Sequence, residues 1–254
     1  MIGCIIQARM GSSRLPGKVL KRINDQVPML KFQLEQLKFS KQIEKIIIAT
    51  TTLESDTLIT NFCEENNFEY FRGESNDVLD RYYQCAKKFN FSTIVRITSD
   101  NPLIDPNIVD DVISKFVNSK CDYMSTEYPK TYPLGFAVEV FNFTSMEKTW
   151  KEAKLPSERE HVTPYLLKNK NLFKHCNCSY DRNLSHIRCT VDTKDDFKLI
   201  EKIISKIDVR PIHLDNILEL ILNEPDLLEI NKHIKHDGYE RSLKEDEEFL
   251  KSNN

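Results

Sequence analysis

The sequence has no apolar run approaching the roughly 18 residues of a membrane span. It also has no internal repeat and no low-complexity linker. Its start, "MIGCIIQAR", is too short for a signal-peptide core and runs into a loop without a small-residue cleavage site, so a cytoplasmic protein is expected. A broad excess of positive charge is missing too. The 36 Lys and Arg stand against 39 Asp and Glu, a net charge of −3, which argues against general nucleic-acid binding. There is no G-x-G-x-x-G. The nearest approach to a P-loop, Gly11 followed by Gly17-Lys18-Val19, is one residue too long and has valine in place of the metal-binding hydroxyl. The seven cysteines form no metal framework. "HCNC" (His175 to Cys178) is a lone C-x-C, a weak zinc signal, and the odd, scattered set reads as reduced thiols.

What is present is an alternation of β-rich runs and amphipathic stretches in a chain of 254 residues, long enough for a substantial core. "GCIIQA", "KIIIATT", "FEYFRG" and "TIVRITSD" read as strands. Between and after them, "MLKFQLEQLKF", "SDTLITNFCEENN" (Ser55 as N-cap), "NDVLDRYYQCAKKFN" (capped by Asn76) and "DPNIVDDVISKFVNS" (Pro106 in the first turn) read as helices. This rhythm predicts an α/β fold, a mostly parallel sheet with helices on both faces. Then "FAVEVFNF" alternates like an antiparallel strand. "EREHVTPYLLKNK" looks helical and "IRCTVDT" reads as a late strand. "KDDFKLIEKIISKI" and "NILELILNEPDLLEINKHI" are helices, and "KEDEEFLKSNN" is a polar, frayed tail. No clear boundary divides residues 1–254, although 130–185 has the character of a lobe or dimer arm inserted in a single domain.

Ligands of open α/β sheets sit beyond the carboxyl ends of the strands, and three polar clusters fall there. The opening loop carries Arg9, Arg14, Lys18, Lys21 and Arg22 before the first acidic residue, Asp25. With its glycines it suits a triphosphate. "RITSDNPLIDP" ends a strand at Asp100, and "CTVDTKDDF" ends another at Asp192. Two carboxylates from separate strand ends meet the modest protein share of a Mg²⁺ shell. Asp195 and Asp196 read as helix N-terminal charges. A triphosphate loop and two strand-end aspartates together describe metal-assisted nucleotidyl transfer.

In this order, "QARMGSSRLPGK", "RITSDNPLIDP" and "TVDT" resemble the cytidylyltransferase family that makes CMP-activated sugar acids. "RGESNDVLDRYYQCA", "YPLGFAVEVF" and "EREHVTPY" bring the resemblance closest to the SpsF-type spore-coat polysaccharide branch, over roughly residues 2 to 200. The resemblance implies a Rossmann-like fold and a homodimer. It implies triphosphate binding by the loop (Ala8, Arg9, Gly11, Ser12, Arg14, Lys18), and base and ribose contacts at Arg72, Gly73, Asp77 and Val78. Mg²⁺ would be held at Asp100 and Asp192, with Gly135, Glu139, Glu160 and His161 facing the acceptor or the dimer partner. Arg9, Arg14, Lys18 and Asp100 would carry the catalysis.

The expected activity is Mg²⁺-dependent transfer of CMP from CTP to a small acidic acceptor with release of pyrophosphate, for surface polysaccharide or glycan assembly. Two alternatives remain open from the residues. One is transfer to a phosphorylated sugar or non-sugar acceptor, or from another triphosphate. The other is a nucleotide-binding scaffold without turnover.

Overall fold

The structure is a computed structural model that describes residues 1–234 and 238–252. In chain order its regular elements begin β1 (Ile2–Gln7), β2 (Arg22–Ile23), β3 (Val27–Pro28), α1 (Met29–Leu37), β4 (Lys45–Thr51), α2 (Thr57–Glu65), β5 (Tyr70–Gly73), α3 (Val78–Lys88) and β6 (Thr93–Thr98). The second half adds α4 (Pro106–Val117), β7 (Tyr123–Ser125), β8 (Glu139–Asn142), α5 (Phe143–Glu152), α6 (Pro156–His161), α7 (Pro164–Lys168), β9 (His175–Asn177), α8 (Lys194–Lys206), α9 (Leu214–Asn223) and α10 (Gly238–Ser252).

Seven strands form one sheet in the order β5-β4-β1-β6-β8-β7-β9. β8 runs antiparallel to both its neighbours, and every other pairing in this sheet is parallel. β2 and β3 make a separate small hairpin. Alternation along the central strands decides which side chains go to which face. Cys4 and Ile6 of β1, with Ile48 and Val95, meet the apolar stripes of α1, α2 and α4. Ile5, Ile47, Ala49 and Ile94 point the other way, onto α3, α5 and α7. A third cluster joins α8 and α9 to Met29, Leu103 and Phe136. Both faces are therefore covered, as the β-branched run "KIIIATT" requires.

Several expectations need correction. Asp77, not Asn76, caps α3, its side chain accepting from the Asp80 amide. Ser55 lies in a 3₁₀ turn ahead of α2 and caps nothing. "EREHVTPYLLKNK" is broken into α6 and α7, because Val162 adopts a positive φ of 73° between them. "IRCTVDT" forms no strand. It is extended but makes a single bridge, Leu134 to Arg188. The tail is helix α10, whose buried Asp246 accepts from the Ser157 amide (2.8 Å) and hydroxyl (2.6 Å) on α6. Asn253 and Asn254 lie outside the described residues.

The thiols also depart from expectation. Cys121 and Cys176, 55 residues apart, are paired as a disulfide, because the β7–β9 pairing brings their Cα atoms to 6.0 Å. The remaining five are free and buried. Among the described residues no group of three or more His, Cys, Asp or Glu is placed to hold a metal ion, at "HCNC" or elsewhere. No described helix is long and apolar enough to cross a membrane.

Candidate active site

β4 and β6 flank β1, so the chain reverses its direction of winding there, and a crevice opens beyond the carboxyl ends of β1 and β6. The register pairs Gln7 with Thr98 at that end. The cleft has a volume of about 440 Å³. Its wall includes Ala8, Arg9, Ser12, Arg14 and Lys18 from the opening loop, Asp100 after β6, and Asp192 before α8.

The loop is folded back on itself. The Met10 carbonyl accepts from the amides of Ser12 (2.9 Å) and Gly17 (3.0 Å). The Met10 amide donates to Asp56 at 2.7 Å, and Asp56 is itself bonded by Thr51 at the end of β4. Lys18 then sits in a 3₁₀ turn, 9% exposed, with its ammonium turned inward. Nζ donates to the Val191 carbonyl at 2.6 Å, to Asp192 Oδ1 at 3.0 Å and to Asp100 Oδ2 at 3.4 Å. One cation thus joins three segments far apart in sequence.

Asp192 meets three cations. Its Oδ2 accepts from Arg188 at 2.9 Å and pairs with Arg14 at 3.1 Å. Burial alone would raise its pKa, but Lys18, Arg14 and Arg188 outweigh it and hold the carboxyl below its ordinary range. Arg188 is fixed in turn by Asp196, at 2.8 and 3.0 Å, and Asp196 closes a capping box with Thr193 at the start of α8. Asp196 is therefore more than a helix-terminal charge. Asp195 is an exposed one, 3.4 Å from His233. Asp100 is less committed: Thr98 Oγ1 donates to its Oδ1 at 2.5 Å, and its side chain keeps 28% exposure beside Lys18. Two hard oxygen donors facing one cleft fit the limited protein share of a Mg²⁺ shell, the rest being water and substrate oxygens.

Other expected residues divide. Val78, Gly135, Glu160 and His161 line the cleft. Gly135 has φ +106°, and a Cβ there would lie 2.7 Å from the Cys189 backbone, so only glycine lets this wall close against the segment leading to Asp192. His161 Nε2 is 2.8 Å from Ser242 Oγ of α10, which donates to Glu160 at 2.9 Å. Burial lowers the pKa of this imidazole, against the opposing charge of Glu160, which favours the neutral ring at pH 7.

Glu139, expected to face the acceptor or the dimer partner, is buried and is not part of the cleft lining. Arg96, its register partner across β6 and β8, forms an ion pair with it, and Tyr123 (2.6 Å) and Thr163 (2.7 Å) donate to its Oε1. Burial works against the charge of Arg96, but Glu139 raises its pKa overall. Arg72 donates to the carbonyls of Thr51 and Leu53, both at 2.9 Å, and ties β5 to the β4 loop. Asp77 caps α3 and receives Arg159 Nε at 2.8 Å. Gly73 packs against Phe71 and Arg81. None of Glu139, Arg72, Gly73, Asp77 or Gly11 is part of the cleft lining. Of the five opening cations, Lys21 lies over the Phe197 ring and Arg22 bonds the Gln26 carbonyl.

Residues that sequence reasoning did not single out are also in the wall: Gln7, Arg81, Arg96, Glu127, Lys130 and Thr190. Gln7 adjoins Ala8 at the end of β1 and Thr190 lies two residues before Asp192, a signal that was available. Arg81, on the face of α3 between Tyr82 and Asp80, gave none.

A family model described as Cytidylyltransferase matches residues 3–234. The chain is 32% identical to the spore coat polysaccharide biosynthesis protein SpsF of Bacillus subtilis, covering 87% of this chain and 94% of that protein. It is 29% identical to a 3-deoxy-manno-octulosonate cytidylyltransferase of Pseudomonas syringae, covering 61% of this chain and 63% of that one. A cytidylyltransferase structure from Leptospira borgpetersenii superimposes with a TM-score of 0.87 at 34% identity, covering 92% of this chain and 99% of the other. The cleft, its opening loop and the carboxylates of Asp100 and Asp192 therefore sit within a family match that spans them all: the chain belongs to the cytidylyltransferase family.

Proposed function

We propose that this protein transfers CMP from CTP to a small acidic acceptor, a sugar acid or a close relative, with release of pyrophosphate. One observation carries the reading: Lys18 joins Asp100 and Asp192 at the mouth of a cleft that Arg9 and Arg14 also line. That is an arrangement for holding a polyphosphate against carboxylates. The likeness to the 3-deoxy-manno-octulosonate cytidylyltransferase of Pseudomonas syringae supports a sugar-acid acceptor, and the likeness to SpsF supports a role in polysaccharide assembly.

In this reading an acceptor oxygen attacks the α-phosphorus and the bond to the bridging oxygen of pyrophosphate breaks. The chain's work is positioning and charge neutralisation. Arg14 and Lys18 hold the leaving phosphates and offset the charge that develops on them. Arg9 lies on the same wall, and Ser12 and the loop amides orient the phosphate oxygens. Asp100 and Asp192 would hold Mg²⁺, which when bound supplies Lewis-acid polarisation of a phosphate oxygen. Glu160 and neutral His161, tied together through Ser242, face the acceptor side with Gly135. The same reading expects a homodimer in solution, which sedimentation velocity would measure.

The test is pyrophosphate release with Mg²⁺ across the four ribonucleoside triphosphates and separate pools of sugar acids and sugar phosphates. Release with CTP and sugar acids supports the proposal. Release only with phosphorylated acceptors or another triphosphate would replace it. Tight nucleotide binding without release in any pool would favour a scaffold.

A further inference from the structure

Arg81 lines the cleft from α3 and is only 2% exposed. Its Nη1 donates to the Glu74 carbonyl at 2.6 Å. Its Nε is buried without a partner, and no ion pair to a carboxylate compensates the charge among the described residues. Burial lowers its pKa, and the nearby charge of Arg9 adds to the effect. Asp56 and Asp77 offset part of that shift without pairing with the guanidinium, and a buried donor left without a partner is costly unless a ligand meets it. Gly73 makes the placement possible, since a Cβ there would come within 3.0 Å of Arg81 Cγ.

The guanidinium edge that carries Nε and Nη2 is a planar pair of parallel donors. It asks for two adjacent acceptors in one plane. Cytosine presents such a pair, N3 and O2. Uracil places an N3–H between its two carbonyls, and that hydrogen meets the arginine donor to donor. A phosphate would also suit the edge, but the phosphate-type cations Arg14 and Lys18 converge on Asp192. Arg81 enters from α3 beside apolar Val78, a wall suited to a ring.

We infer that Arg81 reads the N3 and O2 edge of the nucleotide base and selects cytosine over uracil. The inference rests on the nucleotidyl-transfer reading above and adds a specificity residue to it. Arg81 acts in binding and has no part in the phosphoryl chemistry.

Calorimetric titration of the full chain with CTP, UTP and 3-deaza-CTP, which lacks the N3 acceptor, tests it. Wild type should bind CTP about tenfold or more tightly than either analogue, the size of one charge-assisted hydrogen bond. Arg81→Lys keeps the charge but loses the paired edge, and its CTP preference should fall to within about threefold. Equal binding of CTP and 3-deaza-CTP by wild type would overturn the inference, and that arm needs no variant to fold. A CTP preference that survives in folded Arg81→Lys would overturn the inference alone. A wild type that binds no triphosphate would overturn the nucleotide reading and this inference with it.

Discussion

Lys18 stands where the carboxylates of Asp100 and Asp192 meet, and its removal would leave them facing each other without the shared ammonium. Lys18→Ala should therefore weaken CTP affinity or turnover by about tenfold or more, read as a change in KM or kcat at constant secondary structure. Unchanged kinetics would mean the loop binds something else. Asp100 carries fewer internal bonds than Asp192 and is the better site for a clean substitution. Asp100→Asn should cut kcat by about two orders of magnitude while the melting temperature changes little. Near-normal turnover would remove Asp100 from the chemistry. At Gly135 the expected effect is on stability. Gly135→Ala must fit a Cβ 2.7 Å from the Cys189 backbone at positive φ, and should cost about 1–3 kcal/mol in denaturant unfolding. At this scale the sequence picks out the aspartates and loop cations that the fold brings to one cleft, because Asp100 follows an apolar strand, Asp192 follows an apolar segment, and Arg9, Arg14 and Lys18 flank a glycine-containing turn. It does not show Arg81 or Arg188. Their partners depend on contacts across the fold, and an arginine on a helix face reads as a solvated one until its burial is known.

Among the elements, α8 and α10 do more than cover the sheet. The N-terminus of α8 gathers Thr193, Asp196, Arg188 and Asp192 into one ion-paired cluster. Burial opposes the ionised form of Asp196, but Arg188, the Asp192 amide and Asn231 bring its pKa below the ordinary carboxylate range, as for Asp192. A depressed folded pKa stabilises the protein above the unfolded value, about 4, and the contribution disappears as pH falls through the lower folded value. The melting temperature of Asp196→Asn should lie below that of wild type at pH 7, and the two should converge on acidification below about pH 4. A constant gap would show that the loss is one of packing, not ionisation. α10 reaches the cleft indirectly, through Asp246 on Ser157 and Ser242 on Glu160 and His161. Deleting residues 235–254 should raise the acceptor KM while leaving CTP affinity within about threefold. The two-residue strands β2 and β3 are too short to show a periodicity, whereas strands β1, β4, β5 and β6 and helices α1 to α4 were legible because their periodicities are regular. α10 was not, because "KEDEEFLKSNN" is mostly charged and its few anchoring residues reveal themselves only against α6. "IRCTVDT" misled for the opposite reason. Its residues suit a strand, but the segment lies against Leu134 and Asp100, where only isolated backbone bonds form.

At the scale of the whole molecule, the strand order brings the groups together. Because β4 and β6 flank β1, the opening loop and the segment after β6 emerge side by side, and the Asp192 segment crosses to the same end through the backbone bond of Val191 to Asp100. The β-α rhythm made the parallel sheet legible and with it the end at which a ligand would sit. The contents of the acceptor side were less so, since Glu139 alternates correctly for a cleft residue yet is consumed by Arg96, Tyr123 and Thr163. The central claim is attack at the α-phosphorus of CTP. It is tested most directly by incubating the protein with an acidic sugar pool and CTP radiolabelled at either the α- or the γ-phosphorus. The account predicts that the α-label passes to the acceptor and the γ-label leaves as pyrophosphate. Transfer of the γ-label to the acceptor, or no transfer of either, would contradict it.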